Sequence, residues 1–313
     1  VTYDENYAES GSLAKLFSFK YIAVNSSASY SSQFAKSLGA LWETFPKAET
    51  VIVVEEELML TVDFMSYMAQ MLPVLQKDDS IVSISAWNEN GFKEASSLPD
   101  AAYRVEGFPG LGFMLKRSTY RQLMEGRMGE CCAGRAWDGW LQAKLQEAVE
   151  PRSQQPRRDT VVPDVSRVLR RHSDGLGVLE PRLEDLFHRP RGYATHEVNP
   201  FLVCPIYTRD EQNLFCPIAG KVEYLLSGGY PMTQKDLASC FQKEPSPPPL
   251  PQTKSPKQAL AIYVEEKGLE RKLTLQLCAC FGLYHSSGQP PKGLYKEILR
   301  FSYQSRPAII VAS

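Results

Sequence analysis

The chain has 313 residues, 43% hydrophobic and 23% charged, with a formal net charge of −1. That is an ordinary globular composition, long enough for a real core and for more than one structural unit. A near-neutral balance gives no general electrostatic hold on nucleic acid or an anionic membrane, partners that select basic surfaces, although a local basic patch stays open.

In chain order, the N-terminal VTYDENYAES is neither a signal peptide nor a Met start, so the sequence reads as a fragment of a longer chain. No run approaches the roughly 18 apolar residues that a membrane span needs. Phe34–Phe45 carries apolar residues at helical spacing and predicts a helix packed beneath a strand at Val51–Val54. A helix around Val62–Leu72, strands at Ile81–Ala86 and Leu111–Leu115, and helices around Ser118–Met124 and at Trp137–Val149 follow. Such alternation predicts an α/β sheet with helices on its faces. The arginine-rich RSQQPRR at Arg152–Arg158 reads as an exposed loop.

The clearest boundary is EPSPPPLPQTKSP, Glu244–Pro256, where proline blocks regular structure and favours extended conformations. It divides the sequence into residues 1–243, a linker over 244–258, and a small C-terminal α/β appendage over 259–313. In that appendage ALAIYVEE, LTLQLCACF, GLYKEILRF and PAIIVAS predict strand, helix, helix and strand. Seven cysteines, at 131, 132, 204, 216, 240, 278 and 280, form no C-x-x-C pair, which argues against zinc. Disulfides are permitted, but their pairing is not legible.

Four segments could carry chemistry. VIVVEEEL places Glu55, Glu56 and Glu57 at the carboxyl end of a strand, where open α/β sheets bind ligands. Adjacent carboxylates repel unless solvated or met by a cation, so the triplet is either a solvated acidic turn or a seat for a hard divalent ion. Trp137-Asp138-x-Trp140 sets a carboxylate between two indoles at a helix start, as a general base or as an ordinary capping residue. The glycines of EGFPGLGF precede a strand, which disfavours a dinucleotide fingerprint and favours a tight loop at a ligand. Ser166 and Arg167 in VPDVSRVLRR could offer a hydroxyl and a guanidinium to a phosphate, or form a plain turn. No Ser–His–Asp or Cys–His arrangement is signalled.

Taken in order, VIVVEEELMLTVDFMSYM, SISAWNENG, YRVEGFPGLGFML, WDGWL and VPDVSR resemble the β-1,2-N-acetylglucosaminyltransferases that act on mannose, most of all their protein O-linked-mannose branch. The resemblance runs from about Tyr30 to Arg167, and more faintly through LQLCACFGLY, GLYKEILRF and AIIVAS. It implies a GT-A-type α/β nucleotide-sugar fold, UDP-N-acetylglucosamine as donor, Mn²⁺ as cofactor, and a mannose-terminated glycoprotein as acceptor, with no nucleic acid involved. Glu57 would then be the metal ligand, Glu55, Glu56, Leu111, Ser166 and Arg167 would serve the donor, and Asp138 would be the catalytic base. It further implies a Golgi-lumen enzyme, held at the membrane only by an anchor upstream of this sequence.

The sequence departs from that pattern in three places. Glu57 stands where the family carries Asp; residues 172–207 follow the family poorly; and no counterpart of the strand and loop that hold the uracil precedes Tyr30. The alternative reading is therefore a catalytically degenerate relative that binds glycans or partner proteins.

Overall fold

In a computed structural model of the chain, the structure describes residues 2–4, 8–24, 30–55, 58–92, 95–96, 101–127, 137–147, 158–170, 203–204, 230–250, 260–266, 271–285, 291–295 and 297–312. The architecture is α/β, with mixed parallel and antiparallel sheets, as the alternation of strand and helix patterns predicts. The chain divides into two compact units, Val1–Val51 with Leu115–Gln155, and Ile52–Met114 with Pro156–Ser313. β3 (Thr50–Val53) and β7 (Phe113–Lys116) each contribute residues to both.

The first unit opens with β1 (Thr2–Asp4), α1 (Ala8–Leu16) and β2 (Ile22–Val24), the two strands pairing in parallel. A parallel pair needs a crossover, and α1 supplies it. α2 (Tyr30–Thr44) buries Phe34, Leu38 and Trp42, one residue per turn on a single face. Phe34 stacks on Trp137 with ring centroids 3.9 Å apart, and Trp42 packs on Tyr120 of α4 (Arg117–Leu123). α5 (Trp137–Glu147) buries Trp137, Trp140, Leu141 and Leu145.

Among the described residues the second unit holds most of a six-stranded sheet, a five-stranded sheet and a two-stranded ribbon. In the six-stranded sheet the order is β10-β6-β8-β5-β7-β3, where β5 is Ile81–Ser85, β6 Ala102–Glu106, β8 Asp159–Pro163 and β10 Val203–Cys204. β5 and β8 run parallel, whereas β6 runs antiparallel to β8. α3 (Phe64–Lys77) buries Phe64, Tyr67, Met68, Met71 and Leu75, the i, i+3, i+4 stripe of a core-facing helix. A short antiparallel ribbon joins β4 (Leu58–Leu60) to β9 (Val168–Arg170), pairing Leu60 with Val168.

The five-stranded sheet has the order β11-β12-β15-β14-β13, from Tyr230–Pro231, Leu260–Val264, Arg306–Ala312, Ile298–Tyr303 and Leu294–Tyr295 respectively. α6 (Lys272–Cys280) packs Leu277, Cys278 and Cys280 into the same core. The helix predicted from GLYKEILRF is in fact β13 and β14. Leu294, Ile298 and Phe301 mimic helical spacing, but every residue of β14 is buried, so its two-residue period leaves no trace. Gln304 and Ser305 both adopt positive φ (47° and 62°), the backbone of a tight hairpin between β14 and β15. The strand β6 had no clear signal, because Arg104 and the flanking alanines blur its pattern.

A continuous core joins Phe64, Met71 and Ile84 to Leu260, Ile262, Leu277 and Ile310. The described residues within 260–312 therefore belong to the same compact unit, and the same core, as those within 52–114. The proline-rich segment is docked where described: Pro248 is buried, its carbonyl accepts from the Tyr303 hydroxyl, and Leu250 packs on the core. A disulfide links Cys240 to Cys280 across 40 residues, and Cys278 beside it is a buried free thiol. Among the described residues no helix is long and apolar enough to cross a membrane.

Candidate functional site

The parallel strands β5 and β8 deliver two loops at their carboxyl ends, 86–91 and 164–167, the edge where open α/β sheets bind ligands. Ser166 and Asn88 knit these loops together. The Ser166 hydroxyl accepts from the Asn88 backbone N–H at 3.0 Å and lies 3.0 Å from the Asn88 carbonyl, to which it donates. Gly91 takes the Ser166 N–H at 3.2 Å, and an added Cβ there would meet Ser166 Oγ at 2.4 Å and its backbone N at 2.7 Å. Glycine is required by this close approach. The Asn88 amide donates to the Tyr103 hydroxyl and to the carbonyls of Pro163 and Asp164, at 2.8, 2.9 and 3.0 Å.

The glycine-rich turn reaches the same edge. The Ser85 hydroxyl donates to the Gly110 carbonyl at 2.7 Å, and the Ala86 N–H to the Gly112 carbonyl at 2.8 Å. Leu111 is half-buried at φ +52°, between Gly110 and Gly112 at +69° and +65°. The strand predicted over Leu111–Leu115 thus begins two residues later, because three successive left-handed residues make a turn.

Arg167 is 1% exposed, so its guanidinium is enclosed by protein. Its Nε lies 2.8 Å from Asp63 Oδ2, another nitrogen donates to the Val165 carbonyl, and its head sits 5.9 Å from the Tyr67 ring centroid. The Thr61 hydroxyl is 2.6 Å from Asp63 Oδ1. Tyr67 donates its own hydroxyl to the Ser85 carbonyl at 2.9 Å, and burial pushes that phenol well above its ordinary pKa, with Arg167 only partly opposing. Asp63, Thr61, Tyr67 and Asn88 escape sequence reasoning. Asp63 precedes α3 and looks like a cap, although its side chain makes no capping bond.

The C-terminal segment props the loop from behind. Asn90 Oδ1 accepts from the Tyr284 N–H at 2.9 Å, and Arg300 lies over the Tyr103 ring at 5.2 Å. Burial raises the pKa of Glu89 in this loop, with Lys292 partly offsetting it.

Of the other predicted residues, Glu55 is half-buried just beyond β3, whereas Glu56 and Glu57 lie outside the described residues. Carboxylate oxygens suit a hard divalent cation, but among the described residues no three possible ligands cluster. Asp138 belongs to the first unit, apart in sequence from the segments above. It lies in the first turn of α5 and is exposed, while Trp137 and Trp140 face inward. The indoles therefore do not enclose it: at 100° per residue, positions 137 and 140 share a face that 138 leaves.

A sequence model of the GNT-I family matches residues 30–177. The chain is also 37% identical over 98 residues to the α-1,3-mannosyl-glycoprotein 2-β-N-acetylglucosaminyltransferase of Arabidopsis thaliana. That match covers 31% of this chain and 21% of the relative, so the chain spans about a fifth of the curated relative's length. The family match takes in Glu55, Ser85–Gly91, Gly110–Gly112, Asp138 and Arg167 together.

Proposed function

We propose that the chain is the GT-A-type core of an inverting transferase that moves N-acetylglucosamine from UDP-N-acetylglucosamine to O2 of a terminal mannose on a glycoprotein. The observation that carries this reading is the knitted edge formed by loops 86–91, 110–112 and 164–167, built from segments that lie inside the GNT-I match. The named activity of the Arabidopsis relative supports the same substrate class.

In this reading Leu111 and Ser166 line the donor, and Glu55 and Glu56 face its nucleotide and sugar. Asp138 takes the proton from mannose O2 as that oxygen attacks the anomeric carbon and the UDP oxygen leaves. One displacement converts the α-linked donor into a β-1,2 product. An exposed carboxylate in a first helical turn is free to meet an acceptor hydroxyl. Glu57 would hold Mn²⁺, which when bound neutralises charge on the departing diphosphate. Arg167 serves the donor indirectly, since its guanidinium is enclosed. The likeness of the ordered motifs to the protein O-linked-mannose branch supports O-linked mannose as the finer acceptor. A Golgi-lumen location is supported by the Cys240–Cys280 disulfide, a bond of oxidising compartments.

A second reading, a binding module without catalysis, is favoured by Glu57 in a position where the resembled enzymes carry Asp. Calorimetry with UDP-N-acetylglucosamine, with and without Mn²⁺, separates the readings. Metal-dependent binding supports the transferase, and heats indistinguishable from buffer in both conditions contradict it.

A further inference from the structure

The Asp63–Arg167 ion pair is an expensive choice for a core. Both side chains are more than nine-tenths buried, and apolar residues of similar volume commonly serve stability as well as a buried pair does. Asp63 also forgoes the capping bond its place before α3 offers. What the pair adds is connection. Arg167 donates its backbone N–H to the Ala86 carbonyl at 2.7 Å, and Ala86 in turn donates to Gly112, beside Leu111. The Arg167 carbonyl accepts from the Thr61 N–H at 3.0 Å, and the Thr61 hydroxyl reaches Asp63. Arg167 follows Ser166 in the chain and immediately precedes β9, whose pairing with β4 sets Leu60 against Val168. A Cβ on Gly112 would meet Val168 at 2.8 Å, so the glycine turn rests on the residue next to Arg167.

We infer that Asp63 and Arg167 are positioning residues: their ion pair fixes the register of the β4–β9 ribbon and, through it, the places of Ser166 and Leu111 at the donor edge. A one-residue slip in a strand pair turns every side chain to the opposite face, so a geometric lock here has a large effect. The inference rests on the nucleotide-sugar reading for its consequence, but not for its structural content.

The test compares the intact chain with the double variant Asp63→Leu/Arg167→Met and with the single variant Arg167→Lys. Melting temperature, affinity for UDP-N-acetylglucosamine and amide hydrogen exchange are measured for each. The double variant is expected to melt within a few degrees of the parent yet bind the donor at least tenfold more weakly. Arg167→Lys keeps the charge and loses the planar fork. It is expected to exchange the amides of Thr61 and Arg167 at least tenfold faster, with β12 and β15 unchanged. Parental exchange at Thr61 and Arg167 in Arg167→Lys overturns the inference, even if the double variant fails to fold. So does parental donor affinity in a folded double variant. A parent chain that binds no donor overturns the proposed function instead, and leaves the exchange comparison to decide the lock.

Discussion

Ser166 and Asn88 close a two-way bond, with the Ser166 hydroxyl 3.0 Å from both the N–H and the carbonyl of the same residue. One short side chain thus satisfies two buried backbone groups at the point where the loops after β5 and β8 meet. Ser166→Ala leaves the Asn88 N–H without this partner, while the Asn88 carbonyl keeps the Gly91 N–H at 2.8 Å, and it is expected to lower stability by about 1–3 kcal/mol, the usual cost of a buried unsatisfied polar group. Urea denaturation monitored by circular dichroism measures it.

Gly91→Ala strikes the same joint from the other side. Its Cβ would stand 2.7 Å from the Ser166 backbone N, an atom that cannot yield without moving the loop. A loss of about 1–3 kcal/mol is expected, as for overpacking generally. Because Ser166 Oγ is the nearest atom at 2.4 Å, the double variant Gly91→Ala/Ser166→Ala is expected to lose less than the sum of the singles by about 0.5 kcal/mol or more.

Asp138→Asn separates chemistry from folding. The side chain is exposed and its neighbours Trp137 and Trp140 make the packing contacts, so stability is expected to change by no more than about 0.5 kcal/mol. Transfer is expected to fall by about 10²–10⁴-fold, the usual share of a general base. Melting temperature and steady-state turnover on the same preparation test both halves.

Acid should loosen the second unit through Asp78. Burial opposes its ionisation, but the Ser80 hydroxyl and the Arg104 guanidinium outweigh burial and hold the carboxyl below its ordinary range. A carboxyl depressed on folding contributes stability that is present above its unfolded pKa of about 3.9 and disappears as pH falls through the folded value. Wild-type stability is therefore expected to drop below about pH 4, and Asp78→Asn to flatten that part of the profile. Thermal melts from pH 2 to pH 7 show whether it does.

The sequence announced those elements whose hydrophobic period survives partial burial. α2 shows Phe34, Leu38 and Trp42 one turn apart, and α3 shows its stripe from Phe64 to Leu75, so both were legible. β14 was not, because burial on both faces erases alternation and Leu294, Ile298 and Phe301 imitate a helix. At the site, the loops themselves were legible from SAWNENG, FPGLGF and VPDVSR. Their joinery was not: nothing local to Asp63 says that a guanidinium 104 residues later will claim it. Ser166 and Arg167 fit either a phosphate contact or a plain turn by sequence, and their bonds to Asn88, Val165 and Asp63 lie outside what either reading states. Long-range pairing of this kind leaves no periodic signal along the chain.

Product formation decides whether the chain transfers sugar to mannose. The chain is incubated with UDP-N-acetylglucosamine and a synthetic α-mannoside, with and without Mn²⁺, and the product linkage is read by NMR. A disaccharide with N-acetylglucosamine β-linked to mannose O2 is expected, formed in the presence of Mn²⁺ and lost in Asp138→Asn. No transfer in either condition, or undiminished transfer by Asp138→Asn, would contradict it.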